Sequence, residues 1–372
     1  MIIKLGEVAS FVNGYAFKPS DWSDNGMPII RIQDLTGNSY KMNRYNGDIE
    51  QKYKVQDGDV LISWSASLGV YVWHGENAVL NQHIFKVVFD KTDVSKDYFV
   101  YQIEYRLGNA ASEAHGATMK HLTKSVFNAL PFYLPKKEEQ EKIAKVLNKI
   151  TELTNKTRKQ AKLLDDIIKS RFIELFGDPV NNPFGFEKQI LKNTCKIITG
   201  NTPSRAVGEY YGDYIEWIKT DNIVTGLLNP TKATEYLSKK GVDAGRTVEK
   251  NSILMACIAG SIESIGRVCI TNRTVSFNQQ INALVPAKYN VLFLYVLLQI
   301  SKDYLVKDIN MALKGILSKS RLEGKEFIVP PIELQNQFAN FIAQTDKSKL
   351  AVQKSLDELE TLKKSLMQEY FG

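Results

Sequence analysis

The sequence predicts an α+β protein made of two similar mixed α/β globules separated by two long antiparallel helices, with an internal pseudo-twofold repeat. Three observations predict it. A heptad-patterned stretch, Gln140 to Phe176, recurs as Gln335 to Phe371 at a fixed offset of 195 residues. Short motifs recur in one order ahead of each stretch. A turn-rich linker, Gly177-Asp178-Pro179-Val180-Asn181-Asn182-Pro183, separates the two copies. The expected boundaries are a first globule over residues 1–135, a central helix over 136–177, a second globule over 178–330 and a C-terminal helix over 331–372.

The helices carry the clearest signal. The offset places Ile143 over Phe338, Leu147 over Ile342, Ile150 over Thr345, Ala161 over Leu356 and Leu164 over Leu359, positions that step by four and three. Neither stretch contains Gly or Pro before its closing Phe176-Gly177 or Phe371-Gly372, so each runs unbroken for roughly 55 Å at 1.5 Å per residue. The second is expected to return along the first, because a solvent-facing stripe of Phe338, Ile342, Val352, Leu356 and Leu359 would be a large sticky patch. Thr154, Thr157, Lys349 and Lys363 interrupt the apolar seam. Such residues either set the register of the pair or mark where other chains pack.

Ahead of the first helix, Pro28 to Gln33, Asp59 to Trp64, Ile84 to Phe89 and Leu130 to Leu134 read as strands, and Ser95 to Leu107 as a helix closed by Gly108. The second copy keeps the order. Leu5 matches Leu191, and IRIQDLTG at 30–37 matches IKTDNIVTG at 218–226. VQDGDVLIS at 55–63 matches VEKNSILMA at 248–256, and SLG at 67–69 matches SIG at 264–266. Asn81-Gln82-His83 falls on Asn278-Gln279-Gln280, Thr118-Met119-Lys120 on Ala312-Leu313-Lys314, and Leu134-Pro135 on Val329-Pro330. Shared order over the whole chain indicates duplication.

The bulk numbers exclude several classes. A chain of 372 residues with 44% hydrophobic and 24% charged residues is an ordinary globular composition, long enough for two or three domains. No secretory signal opens it, and the most apolar run, Val291 to Ile300, is too short for a bilayer, so a cytoplasmic protein without membrane partners is expected. Cys195, Cys257 and Cys269 lack CxxC spacing and His neighbours, which reads as buried thiols rather than a disulfide framework or metal site. All four histidines lie in the first copy, so no catalytic His is common to both. Neither a Walker-type loop nor G-x-G-x-x-G is present. No cofactor is expected on this chain. Asn182-Pro183-Phe184 lacks the second Pro of an amino-methyltransferase motif and lies in the linker. The net charge of +7 is shared between the copies, with 24 basic against 21 acidic residues in 1–177 and 24 against 20 in 178–372. Charge at this level says less about nucleic acid than patches do.

Two related modules at a fixed separation suit the reading of two short sequences in one DNA duplex. Base edges are read chiefly by Arg, Lys, Asn and Gln, and phosphates by basic and small polar residues. The candidates are Arg31, Gln33 and Asp34 with Lys219, Asp221 and Asn222, expected on one polar strand face; the alternative is a solvated face with turn-capping Asp and Asn. Asn81 and Gln82, with Asn278 and Gln279, precede strands and serve either base contact or the turn. Two late basic loops carry Lys120 and Lys124, and Lys314, Lys319 and Arg321. Tyr15, Phe17, Trp22, Trp64, Tyr71 and Trp73 are expected mostly in core or domain-edge packing.

With the repeats placed, the whole chain resembles the specificity subunit of Type I restriction-modification systems. The carrying residues are Leu175-Phe176-Gly177-Asp178-Pro179 through Asn182-Pro183, Ile198-Thr199-Gly200-Asn201-Thr202-Pro203-Ser204, Val329-Pro330-Pro331, and Leu134-Pro135 with Glu139-Gln140. The resemblance implies two target recognition domains, each reading half of a split sequence in double-stranded DNA, with the helices acting as a ruler. It also implies that the helices dock two modification subunits carrying S-adenosylmethionine, that restriction subunits can join them, and that this chain is not itself catalytic. The first globule has Asn13-Gly14-Tyr15-Ala16-Phe17-Lys18 where the second has the Thr-Pro-Ser element, which favours an asymmetric target. A self-contained enzyme would need a cofactor or metal motif. A protein-binding coiled-coil scaffold is the remaining alternative, and it predicts no sequence preference on DNA.

Overall fold

The computed structural model describes residues 1–37, 41–65, 67–113, 124–307, 309–311 and 315–372. They form two compact units, Met1–Arg158 with Lys354–Gly372, and Lys159–Gln353. Each unit therefore takes one globule and a piece of both long helices.

In the first unit the order is β1 (Ile2–Lys4), β2 (Ser10–Asn13), β3 (Met27–Ile30), α1 (Ile32–Leu35), β4 (Arg44–Tyr45), β5 (Lys54–Val55), β6 (Val60–Ser63), β7 (Gly69–Val72), β8 (Ala78–Leu80), β9 (Ile84–Val88), α2 (Lys96–Glu113), α3 (Lys124–Ala129), β10 (Pro131–Tyr133) and the start of α4 (Lys137–Phe176). The second continues with β11 (Lys188–Ile190), α5 (Leu191–Thr194), β12 (Cys195–Thr199), β13 (Tyr211–Ile218), β14 (Tyr236–Leu237), α6 (Lys239–Ala244), β15 (Thr247–Val248), β16 (Ile253–Ala256), β17 (Ile258–Ala259), β18 (Val268–Ile270), β19 (Val275–Phe277), β20 (Ile281–Pro286), α7 (Val291–Ile300), α8 (Lys302–Val306), β21 (Gly315–Ile316), α9 (Lys319–Glu323), β22 (Glu326–Ile328) and α10 (Ile332–Phe371).

The duplication extends to three sheets of each copy, and among the described residues only the second copy adds a fourth, the pair β17-β21. The sheet β2-β9-β6-β7 matches β12-β20-β16-β18, the sheet β4-β3-β8-β5 matches β14-β13-β19-β15, and the pair β1-β10 matches β11-β22. In each second sheet one contact is parallel, β3 with β8 and β13 with β19. Each globule is layered. Alternate residues of the central strand face opposite ways: Val60 and Ile62 join the helix-side core, whereas Leu61 joins the core between the sheets. In the second copy Ile253 and Met255 face the helices, and Leu254 and Ala256 face the other sheet. The sheet containing β3 or β13 is thus the layer far from the helices.

Both long helices close both cores. In the first unit α4 buries Ile143, Ala144 and Leu147 beside Met367 and Phe371 of α10. In the second, α4 buries Ile168, Phe172 and Phe176 beside Phe338 and Ile342. The segments run antiparallel within each unit. Just ahead of α2 the Ser95 N–H donates to Gln140 Oε1 at 2.8 Å; along α2 the Tyr101 hydroxyl donates to Asn148 Oδ1 at 2.8 Å, Tyr98 meets Phe371 and Glu104 meets Lys363. In the second unit Asp165 meets Lys349, and Phe172 meets Phe338. Three of the polar seam residues are partnered: Thr154 donates to the Ile150 carbonyl at 2.8 Å, Lys349 to Asp165 at 2.6 Å and Lys363 to Glu104 at 3.0 Å. Of these, only the Lys349 to Asp165 contact joins the two long helices and so suits register control; the Thr154 bond lies within α4, and Lys363 reaches α2. Thr157, Leu356 and Leu359 in the first unit, and Ala161, Leu164 and Val352 in the second, are half-buried.

Three local expectations need correction. The helix over 95–107 does not stop at Gly108 but continues to Glu113. A Cβ at Gly108 would meet nothing within 4 Å, and an exposed helical Gly costs only about 1 kcal/mol. The strand expected over 28–33 ends at Ile30, and a helical turn follows. Lys124, Lys319 and Arg321, expected in loops, lie on the short helices α3 and α9.

Candidate nucleic-acid interface

Three segments of each copy converge on one rim, held by backbone hydrogen bonds that repeat between copies. The turn after β2 or β12 is pinned first: Gly14 N–H donates to Ile84 O at 3.1 Å and Gly200 N–H to Ile281 O at 3.0 Å. The Asn triplet then docks on the end of the parallel strand, with Asn81 N–H on Ile30 O at 3.1 Å and Asn278 N–H on Ile218 O at 3.0 Å. Both turns demand glycine. A Cβ on Gly14 would lie 2.2 Å from the Asn81 carbonyl oxygen, and one on Gly200 2.1 Å from that of Asn278.

The strand-face expectation for Arg31, Gln33 and Asp34 gives way to a capped turn. Arg31 is the N-cap of α1, and its N–H donates to Asp34 Oδ2 at 2.8 Å. Lys219 occupies the same place before the 3₁₀ turn Thr220–Asn222, and its N–H donates to Asn222 Oδ1 at 2.9 Å. The sequence alternation breaks here because a side-chain acceptor three residues on satisfies the N-cap amide and favours a turn over further strand. Asp34 and Asn222 are therefore scaffold: the Asp34 side chain is buried, and Asn222 also donates to Thr231 Oγ1 and Lys232 O at 3.2 Å. Asn278 is buried, and its Oδ1 accepts from Gln280 N–H at 3.1 Å. Asn81 Oδ1 accepts from His83 N–H at 3.4 Å, the same turn in looser form.

Gln33, Gln82, Asp221 and Gln279 are the candidates left exposed on the rims. Lys124, Lys319 and Arg321 are exposed elsewhere, since α3 packs on the 3₁₀ turn Leu5–Glu7, and α9 on α5 and β12. Lys319 pairs with Glu323 at 3.5 Å. Lys120 and Lys314 lie outside the described residues.

Sequence reasoning missed Arg205. It follows Thr202-Pro203-Ser204, and adjacency to that element was the signal that could have found it. Its guanidinium lies 4.4 Å from the Tyr211 ring centre and 5.2 Å from that of Trp217, and it shares Glu235 with Lys219. The two cations, Lys219 foremost, hold the Glu235 carboxyl below its ordinary range. At the matching place in the first copy, Tyr15 packs edge-on to Phe17 and Tyr53, and Phe17 to Tyr45. Tyr15 and Trp22 are exposed rather than core, whereas Trp64, Tyr71 and Trp73 pack against the cores as expected. The three cysteines are buried, which pushes each thiol up to about 12.

These two rims sit on matched globules that also match known sequences. Residues 1–164 and 183–361 fit the Type I restriction modification DNA specificity domain. The chain belongs to this specificity-subunit family. Its two globules are DNA specificity domains, one per copy. It is 23% identical over 410 residues to the EcoBI specificity subunit of Escherichia coli, covering 99% of this chain and 85% of that one. It is 23% identical over 399 residues to the MjaIX specificity subunit of Methanocaldococcus jannaschii, covering 98% and 90%. Its fold is that of the specificity subunit from M. genitalium, with a TM-score of 0.57 at 15% identity over 100% of this chain and 96% of that one. A second solved chain, from a study of Type I complex assembly and conformational transition, gives a TM-score of 0.56 at 16% identity, covering 100% and 97%.

Proposed function

We propose that this specificity subunit reads a split, asymmetric target in double-stranded DNA, one half with each rim, and performs no catalysis itself. One observation carries the reading: two globules that share three sheet orders present the same three rim segments, two of them with different side chains. The first rim offers Tyr15, Phe17, Gln33 and Gln82, and the second offers Thr202, Arg205, Asp221 and Gln279. One backbone design with two chemistries suits two different half-sites. The helices, each of 40 residues and so about 60 Å long, would set the spacer between the halves.

The helices also offer apolar residues outside the seam. Val146, Leu153 and Leu362 are exposed in the first unit, and Leu163, Ile167, Ile173 and Leu350 in the second. They suit docking of two modification subunits, which would bring S-adenosylmethionine and adenine methylation; restriction subunits can complete the assembly. The reading places the complex in the cytoplasm, with the DNA, and no described helix is long and apolar enough to cross a membrane.

A map of methylated adenines in cells with and without this gene tests the proposal. Loss of one split, asymmetric motif on deletion is the expected result. An unchanged map, with the modification subunits expressed, overturns it.

A further inference from the structure

The same charged device stands at the same place in both rims, and it is assembled from different residues. In each copy a cation caps the turn that follows the parallel strand of the far sheet, Arg31 after β3 and Lys219 after β13. Each cation lies against an indole, Arg31 at 5.9 Å from the centre of Trp22 and Lys219 at 5.3 Å from that of Trp217. Each is tied to a carboxylate. The supporting residues do not correspond, however. Trp22 precedes β3 whereas Trp217 lies on β13, and the acid is Asp34 inside the turn in one copy and Glu235 from just before β14 in the other. Simple inheritance from a duplicated ancestor would keep the supports with the cation. Here the cation's position is kept and its supports are exchanged, which marks the oriented charge as the feature both globules require.

The charge is not used up by its support. Arg31 reaches Asp34 through Nε at 3.3 Å, and its two terminal nitrogens have no partner among the described residues. In the second copy one carboxylate, Glu235, serves both Arg205 and Lys219, so that cluster keeps a net positive charge. The side chains of Arg31 and Lys219 are 21% and 28% exposed, enough to present a charged end while packing fixes the stem.

Phosphate contacts hold a protein in register on the duplex and carry no sequence information, whereas base contacts differ with the target. A feature common to two globules of unlike rim chemistry belongs to the first kind. We infer that Arg31 and Lys219 are the phosphate-gripping residues of the two rims, setting each globule's register on the DNA backbone without reading a base. This rests on the reading of the rims as DNA-binding surfaces. It assigns base reading to the residues that differ, the Tyr15 and Phe17 turn against the Thr202 and Arg205 turn.

The test uses the full chain with its modification subunits, selection from random duplexes, and affinity measured over a range of salt. Wild type is expected to select a two-part motif. Arg31→Gln and Lys219→Gln should each weaken matched and unmatched duplexes by one common factor, about threefold to tenfold at low salt, and lower the salt slope by about 0.9. The selected motif should not change. The charge-keeping variants Arg31→Lys and Lys219→Arg should restore the slope, which separates lost charge from lost folding. Loss of preference at one base position overturns the inference, because the cation then reads a base. So does affinity unchanged at every salt concentration, because the cation is then only structural. Absence of any motif with wild type overturns the DNA-reading function beneath it instead.

Discussion

The first and second globules share three sheet orders yet differ in how they hold the same surface. The first runs one continuous helix, α2, past an exposed Gly108, where the second breaks at Ser301 into α7 and α8. The first rim is aromatic, and the second pairs Arg205 and Lys219 with Glu235. What stays constant is backbone-directed: a glycine at Gly14 or Gly200, an Asn triplet, and a buried glutamine at the helix start. Gln140 and Gln335 each accept from the amide ahead of the globule's helix, Ser95 at 2.8 Å and Asn290 at 2.9 Å. Each also donates to the proline carbonyl five residues back, Pro135 at 2.9 Å and Pro330 at 2.8 Å. The lesson is that duplication preserved the residues that position the backbone and released those that face solvent.

If that is right, paired substitutions in the two copies should cost alike. The largest effect is expected at the helix ends. Phe176→Ala and Phe371→Ala, both fully buried, should each destabilise their unit by about 3–5 kcal/mol, whereas Leu362→Ala on the exposed face should stay within about 0.5 kcal/mol. Urea unfolding followed by tryptophan emission checks this, with Trp217 the sole reporter in the second unit. A tolerated Phe371→Ala would show that α10 does not close the first core.

Next come the buried clamps. Gln140→Ala and Gln335→Ala each leave an amide and a carbonyl without their side-chain partner, at a cost of about 2 kcal/mol. Differential hydrogen exchange should then show faster exchange at Ser95 and Asn290 respectively, and protection retained at either would break the equivalence. Gly14→Ala and Gly200→Ala drive a methyl into a carbonyl and should cost about 1–3 kcal/mol by thermal unfolding. A neutral result at one glycine would mean that its turn opens where the other cannot.

The smallest effect distinguishes the copies. Asp346 of the second unit is half-buried, and desolvation, with Asp165 nearby, holds its carboxyl above the ordinary 3.8 in spite of Lys349. A carboxyl raised in the folded state binds protons that the unfolded chain has released, so stability falls as pH rises from about 3.8 through the folded value. Asp346→Asn should therefore raise the melting temperature slightly at pH 7 and leave it unchanged near pH 3. A lowered melting temperature at pH 7 would show instead that Asp346 is held by a favourable pair.

Much of this was legible in the sequence because the two copies act as controls for each other. The heptad step, the Phe-Gly stops and the ordered motifs located both helices and both globules, since periodic burial and left-handed helix stops are local demands. Gly177 indeed adopts a positive φ of 69°. The site was less legible. Arg31 and Lys219 read as a strand face in the sequence; the capping acceptors Asp34 and Asn222 turn the chain there, and alternation alone does not reveal a competing turn. Arg205 was missed because its setting is built from Tyr211, Trp217 and Glu235, which only β13 and its neighbours bring together.

The sequence by itself determined that the chain is duplicated and that each copy ends in one long helix. Tertiary structure alone decided that each core is closed by the start of one helix and the end of the other, and which rim residues are scaffold and which face solvent. Burial and shared hydrogen bonds are relations between distant residues, so no local pattern encodes them.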